Sequence, residues 1–144
     1  MGFLNIIGLI LPIILFSLGT LHVYWALGGN WGASGAIPTK DGIALFNPSS
    51  LATIFVSLAL FAAAFIVLGR IGILIKLIQL PFIFYWGTWG IATVFLLRAI
   101  GEFKYIGFFK IYKDSIFSYW DTRLFSPLCF FISLCAFLIN VLKY

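Results

Sequence analysis

Charge is scarce in this sequence. Asp, Glu, Lys and Arg make up 9% of its 144 residues, and 63% are hydrophobic. A soluble domain carries about 25% charged residues, so lipid is the natural solvent for this chain. Acids are rarer still: only Asp41, Glu102, Asp114 and Asp121 occur, and His22 is the one histidine. A single His with scattered carboxylates lacks metal-ligand spacing such as H-E-x-x-H, so no metal is expected. No nucleophile–His–acid order and no phosphate-cradling glycine loop stands out, and no cofactor is expected. Gly28-Gly29 reads as a helix stop, not a nucleotide signature. The net charge of +5 does not point to nucleic acid, because the basic residues sit at the ends of apolar runs, where Lys and Arg meet headgroups. The two cysteines, Cys129 and Cys135, fall in one apolar run. They are turned about 600° apart at helical pitch and so project from different faces. They read as small apolar packing residues without a mutual disulfide.

Apolar runs fill the rest. At about 20 residues per span, the length accommodates four, and the expectation is an all-α, polytopic membrane protein: one four-helix domain with spans near 3–27, 51–68, 77–97 and 124–142. The first run has no preceding Lys or Arg and no A-x-A site, so it reads as a span, not a signal peptide. Pro12 predicts a kink within it. The following loop, 30–50, is rich in Gly, Pro, Asn and Ser but also holds Trp31, Ile37 and Phe46, which predicts a partly ordered cover over the bundle mouth. Ser49 or Ser50 can cap the second span. Ala59, Ala62, Ala63 and Ala64 form a small-residue patch that lets a neighbouring helix approach. Pro81 lies near the start of the third span, and Ser126-Pro127 reads as the start of the fourth. Lys143 and Tyr144 would anchor the far end. The first and third spans each carry Pro then Gly-Thr, and the second and fourth each carry Ser-Leu, a faint echo of two duplicated hairpins.

Candidates for chemistry gather on the side of the two longer loops. His22 lies one turn inside the first span, with Trp25 three residues on. Trp86 and Trp89 are three apart in the third span and read either as packing groups or as an aromatic pocket wall. Arg98 ends that span, and Glu102 shares its face if the helix continues. Asp121 and Arg123 fall just before the expected fourth span. The bland reading makes Arg98 with Glu102 or Asp121, and Arg123 with an acid, structural clamps, and leaves His22 bonded to a loop carbonyl. The sharper reading makes His22, Glu102 and Asp121 catalytic candidates and Trp25, Trp86, Trp89, Arg98 and Arg123 ligand-binding ones. Between them, 103–120 interleaves aromatics with Lys104, Lys110 and Lys113, which predicts an amphipathic element lying in the interface with lysines on phosphates.

The run HVYWALGG from His22, Pro38, LRAIGEFKYIGFFK from Leu97 and DTRLFSPLC from Asp121 resemble an uncharacterised bacterial family of small four-helix membrane proteins, a domain of unknown function. The likeness covers most of the chain. It implies a bacterial cytoplasmic membrane protein and brings no activity with it. At the level of architecture alone the chain is similar to four-helix sterol-isomerase-like and sigma-receptor-like proteins.

With four spans the termini share one side with the turn that holds Arg70 and Lys76; Lys143 is also there. The other side has Lys40, Arg98, Lys104, Lys110, Lys113 and Arg123, together with all four acids. The bare positive-inside count favours cytoplasmic loops. Because some loop-side cations can be held by those acids, the reading adopted is cytoplasmic termini. The leading functional expectation is binding of a small apolar or amphipathic, lipid-like ligand at the loop-side mouth. The alternatives are a membrane enzyme acting on such a molecule by acid/base chemistry, and an accessory subunit that docks a protein partner.

Overall fold

The computed structural model describes residues 3–74 and 77–143. Lys76 and Tyr144, the expected turn cation and far-end anchor, lie outside the described residues. The chain is an all-α bundle of four long helices. α1 is Phe3–Ala26, and α2 is a single turn, Ala33–Ala36, in the first loop. A two-residue hairpin of β1 (Thr39–Lys40) and β2 (Ile43–Ala44) follows. Asp41 and Gly42 turn it with φ of 52° and 77°, the left-handed pair that an Asp-Gly hairpin turn requires. α3 is Ser50–Arg70 and α4 is Pro81–Ile100. Last come α5 (Ile116–Trp120), a π-helical turn at Asp121–Phe125 and α6 (Ser126–Leu142), joined end to end. Among the described residues four helices are long and apolar enough to cross a membrane, and this is a multi-pass membrane protein.

Helix ends follow local chemistry. Ser49 Oγ accepts the Ala52 N–H at 3.1 Å and starts α3. Pro81 opens α4, where its fixed φ fits and its missing N–H has no helical partner to lose. α4 therefore starts later than the apolar run at 77, and it ends at Ile100 because Gly101 takes φ 82°. The helix of the fourth span starts well before the expected Ser126-Pro127: it runs from Ile116, with Ser115 Oγ accepting the Ser118 N–H at 3.0 Å. Ser126 caps nothing. Pro127 is carried inside the helix because the chain widens to a π-turn before it, with the Ser126 N–H reaching back to Asp121 O. Such a turn accommodates the proline ring and its lost hydrogen bond.

Two hairpins make the bundle. α1 and α3 pack closely, as do α4 and α6. In each, a buried serine of the later helix bonds a carbonyl of the earlier one: Ser57 Oγ donates to Gly19 O at 3.0 Å, and Ser133 Oγ to Ala92 O at 2.6 Å. Leu11, Leu15, Ala64, Val67, Ile132 and Ala136 form the core between the hairpins. Water exclusion adds little between helices in lipid, so close approach carries the packing. At the end that holds the chain termini it is tight. A Cβ on Gly69 would collide with the Phe84 ring, and one on Gly87 would come within 2.9 Å of Ile66. Towards the loops α3 and α4 part: a Cβ on Gly90 would meet nothing within 4 Å.

Candidate functional site

The parting of α3 and α4 leaves a cleft of about 750 Å³. All four spans contribute to its wall, which is apolar apart from His22, Trp25, Arg98 and Cys129 at its loop-side end. Val56 and Ala59 on α3 and Gly90 and Val94 on α4 line it and are exposed. The cleft thus opens sideways between α3 and α4, towards lipid. The alanine patch is divided: Ala63 and Ala64 are buried in the core, whereas Ala59 and Ala62 border the opening. Short side chains here make room instead of contact.

The loop-side end is organised around Asp121, which is fully buried. Its Oδ1 accepts from Arg98 Nη2 at 2.8 Å. Its Oδ2 accepts from Lys110 Nζ at 2.9 Å and from the Gly107 N–H at 2.8 Å. Lys110 is buried as well, and its three donors are all used, on Asp121, Gly107 O (3.0 Å) and Thr122 Oγ1 (2.7 Å). This refutes the expectation that Lys110 reaches lipid phosphates. The segment before the last span runs as turns and bends over 101–115 and becomes helical only from Ile116. Gly101 and Gly107, at φ 82° and 90°, bring two stretches of backbone so close that a Cβ on either would strike the other's backbone. The Phe108 N–H then bonds Ala99 O at 2.9 Å. That crossing point delivers the Gly107 amide and Lys110 to Asp121.

Arg98 and Glu102 do not pair, because the helix stops between them at Gly101. Glu102 Oε1 instead accepts the Tyr105 and Ile106 amides and closes the turn. Arg98 keeps one nitrogen, Nη1, buried without an acceptor, and its side chain is 32% exposed on the cleft wall. Arg123 points elsewhere: it donates to the Tyr119 hydroxyl and lies 4.2 Å over that ring, paired with no acid among the described residues.

His22 Nδ1 lies 2.8 Å from Leu18 O. A carbonyl only accepts, so Nδ1 carries the proton, and Nε2 is left as the other polar atom of a cleft-lining ring. The partner is a carbonyl of its own helix, not of a loop. Trp25 stands edge-on to His22 at 5.1 Å, and its indole N–H donates to Trp31 O at 2.8 Å. This bond fastens the first loop over the mouth. Gly35 of α2 lies under the Trp120 ring, and Ala36 completes the cleft wall. Trp86 and Trp89 do not join Trp25. Trp86 is 57% exposed on the outer face. Trp89 packs on Phe137 at 5.5 Å, in a separate groove between α4 and α6. Cys129 is on the cleft wall and Cys135 in the core. Among the described residues no three His, Cys, Asp or Glu side chains gather to hold a metal.

At the opposite end, Arg70 donates to Asn140 Oδ1 at 2.6 Å and to Lys143 O at 2.6 Å, and Asn140 Nδ2 donates to Tyr85 O at 3.0 Å. This clamp ties α3, α4 and α6 together. Asn140 was not singled out from the sequence. As a buried amide in the last span, four residues from the Lys143-Tyr144 end, it is the kind of polar group in an apolar run that calls for a partner.

The architecture is that of a small polytopic membrane protein with a lipid-facing cleft capped by a buried ion cluster. Residues 15–136 match the family described as Protein of unknown function (DUF3995), and the chain belongs to that family. No curated protein and no solved structure matches it.

Proposed function

We propose that the protein binds a small lipid-like molecule that enters the cleft sideways from the membrane. One observation carries this reading: a 750 Å³ apolar recess, open between α3 and α4, ends at polar groups only on the loop side. Ligand sites typically have about 300–1,000 Å³, apolar walls and a few convergent polar groups. The test is native mass spectrometry of gently solubilised protein, with extraction of whatever is bound. A reproducible small molecule in the wild type, absent from Gly90→Leu, supports the reading. Protein that is bare, or carries only bulk phospholipid in both forms, overturns it.

A second reading, acid/base catalysis on such a molecule, rests on His22, whose Nε2 belongs to a cleft-lining ring. Asp121 and Glu102 are weaker candidates, the first because its carboxylate is committed to three donors, the second because it closes a turn. In this reading His22→Gln abolishes conversion of the bound molecule and leaves its binding intact.

The proposed location is a bacterial cytoplasmic membrane with both termini in the cytoplasm. Two of the loop-side cations, Arg98 and Lys110, are held by Asp121 and so are not free to report topology. Labelling of a cysteine placed at Ser34 from the outer side alone is the expected result; labelling from the cytoplasmic side alone reverses the orientation.

A further inference from the structure

We infer that the occupant of the cleft is an anionic amphiphile of the loop-side leaflet, with its carboxylate or phosphate head on Arg98 and its tail directed towards Gly87 and Ile66. The inference rests on the reading of the cleft as a ligand site and adds the chemistry of the ligand.

The cleft is about one leaflet deep. Along α4 the cleft runs from Arg98 to Gly87, a rise of about 16 Å. That is roughly half of a hydrocarbon core about 30 Å thick, one leaflet. The floor is where Gly87 meets Ile66, and below it Gly69 meets Phe84. The polar residues lie at the opposite end, on the loop side. A molecule of that leaflet could slide between α3 and α4 without turning over, head level with Arg98 and tail in the recess.

The charge at the cleft's loop-side end is unbalanced. Among the described residues the ion pairs are Arg98–Asp121 and Lys110–Asp121, so two cations share one carboxylate. The other acids do not restore the balance: Glu102 is bonded to backbone amides, and Asp41 and Asp114 are exposed on loops. Lys110 has spent its donors and is sealed away, so the surplus positive charge is carried by Arg98, the one of the two that lines the cleft. A cation at the edge of lipid is costly unless it is paired. Arg98 also leaves 32% of its side chain exposed on the cleft wall, although its unpartnered Nη1 is itself buried and is not that exposed part. Asp121 holds Nη2 and thereby fixes the orientation of the guanidinium fork, whose geometry suits carboxylate and phosphate alike. An alcohol head would accept a hydrogen bond but leave the charge, and an ammonium head would add to it.

The experiment uses the full chain in a neutral detergent and four probes of one chain length: a fatty acid, the matching alkyl phosphate, the alcohol and the trimethylammonium. Binding is read by thermal shift across a titration. The expected result is at least one anionic probe binding about tenfold tighter than the alcohol, as a charged hydrogen bond would give, with the ammonium no better than the alcohol. The stronger of the two anions identifies the head. R98Q should bind acid and alcohol alike, and R98K should recover part of the difference. Equal binding of acid and alcohol by the wild type overturns the inference and leaves the cleft reading standing. So does an anion preference that survives in R98Q. Binding of no probe by the wild type overturns both, as does binding by Gly90→Leu as tight as the wild type's. Wild-type discrimination decides the matter should R98Q fail to fold.

Discussion

The two ends of the bundle solve one problem in different ways. Each has an arginine in the last turn of a helix, Arg70 on α3 and Arg98 on α4, tied to the final span. Arg70 binds neutral acceptors, the Asn140 amide oxygen and main-chain carbonyls, and its ring neighbour Tyr85 lies 5.6 Å away. The helices around it are in contact. Arg98 binds a buried carboxylate that it shares with Lys110, and it retains an unpaired nitrogen beside an open cleft. The first arrangement is a staple. The second holds a charge in place and leaves part of it for something else. An arginine at a span end is therefore no guide to role by itself; the number of its donors already spent is.

That contrast can be broken most forcefully at Asp121. Asp121→Leu leaves Lys110 and Arg98 as uncompensated cations, one of them sealed in protein. A loss of about 3–5 kcal/mol is expected, read as a large drop in unfolding temperature or failure to accumulate folded protein. Asn140→Leu at the other end removes only a neutral partner of Arg70 and one bond to Tyr85 O. The expected loss is about 1–3 kcal/mol with ligand capture unchanged. Equal costs at the two ends would erase the distinction between staple and charge cluster.

How far these ends could be read from sequence depended on whether the partners were local. The four spans follow from apolar runs and their punctuation, and a serine cap at Ser49 or Ser50 was legible because Asn-Pro-Ser-Ser precedes an apolar run; the structure selects Ser49. The pairing of Arg98 with an acid was also legible, since few acids exist and ionisable groups near lipid need partners. Its choice between Glu102 and Asp121 was not: it turned on the helix ending at Ile100, two residues short of Glu102. The start of the last helix was not legible, because Ser-Pro is an ordinary helix start, whereas here a π-turn carries the helix through Pro127. Lys110 looked like its neighbours Lys104 and Lys113. Only the Gly101–Gly107 crossing, a contact between separate stretches of backbone, buries it. Trp86 and Trp89 share a face of α4, as their spacing requires, but spacing cannot say which neighbour that face meets.

Smaller changes sharpen the comparison. At Gly90 an added Cβ meets nothing within 4 Å, and Gly90→Leu replaces a mid-helix glycine, so it should stabilise the protein by about 0.5–1 kcal/mol while excluding the ligand. A rise in unfolding temperature together with loss of the bound molecule is the expected pair of results. Arg123→Ala, at an exposed side chain stacked on Tyr119, should change stability by less than about 0.5 kcal/mol and leave binding alone. A large effect there would mean that the polar cluster extends beyond Asp121, Lys110 and Arg98.

The most direct measurement is photo-crosslinking in nanodiscs with a fatty acid that carries a diazirine in its chain, mapped by mass spectrometry. A cleft that holds such a chain predicts adducts concentrated on Ala59, Ala62, Gly90 and Val94, competed away by the untagged acid. Adducts spread over outward residues such as Ile13, Phe55 and Phe82, with no competition, would show that α3 and α4 part for no ligand and would contradict the central claim.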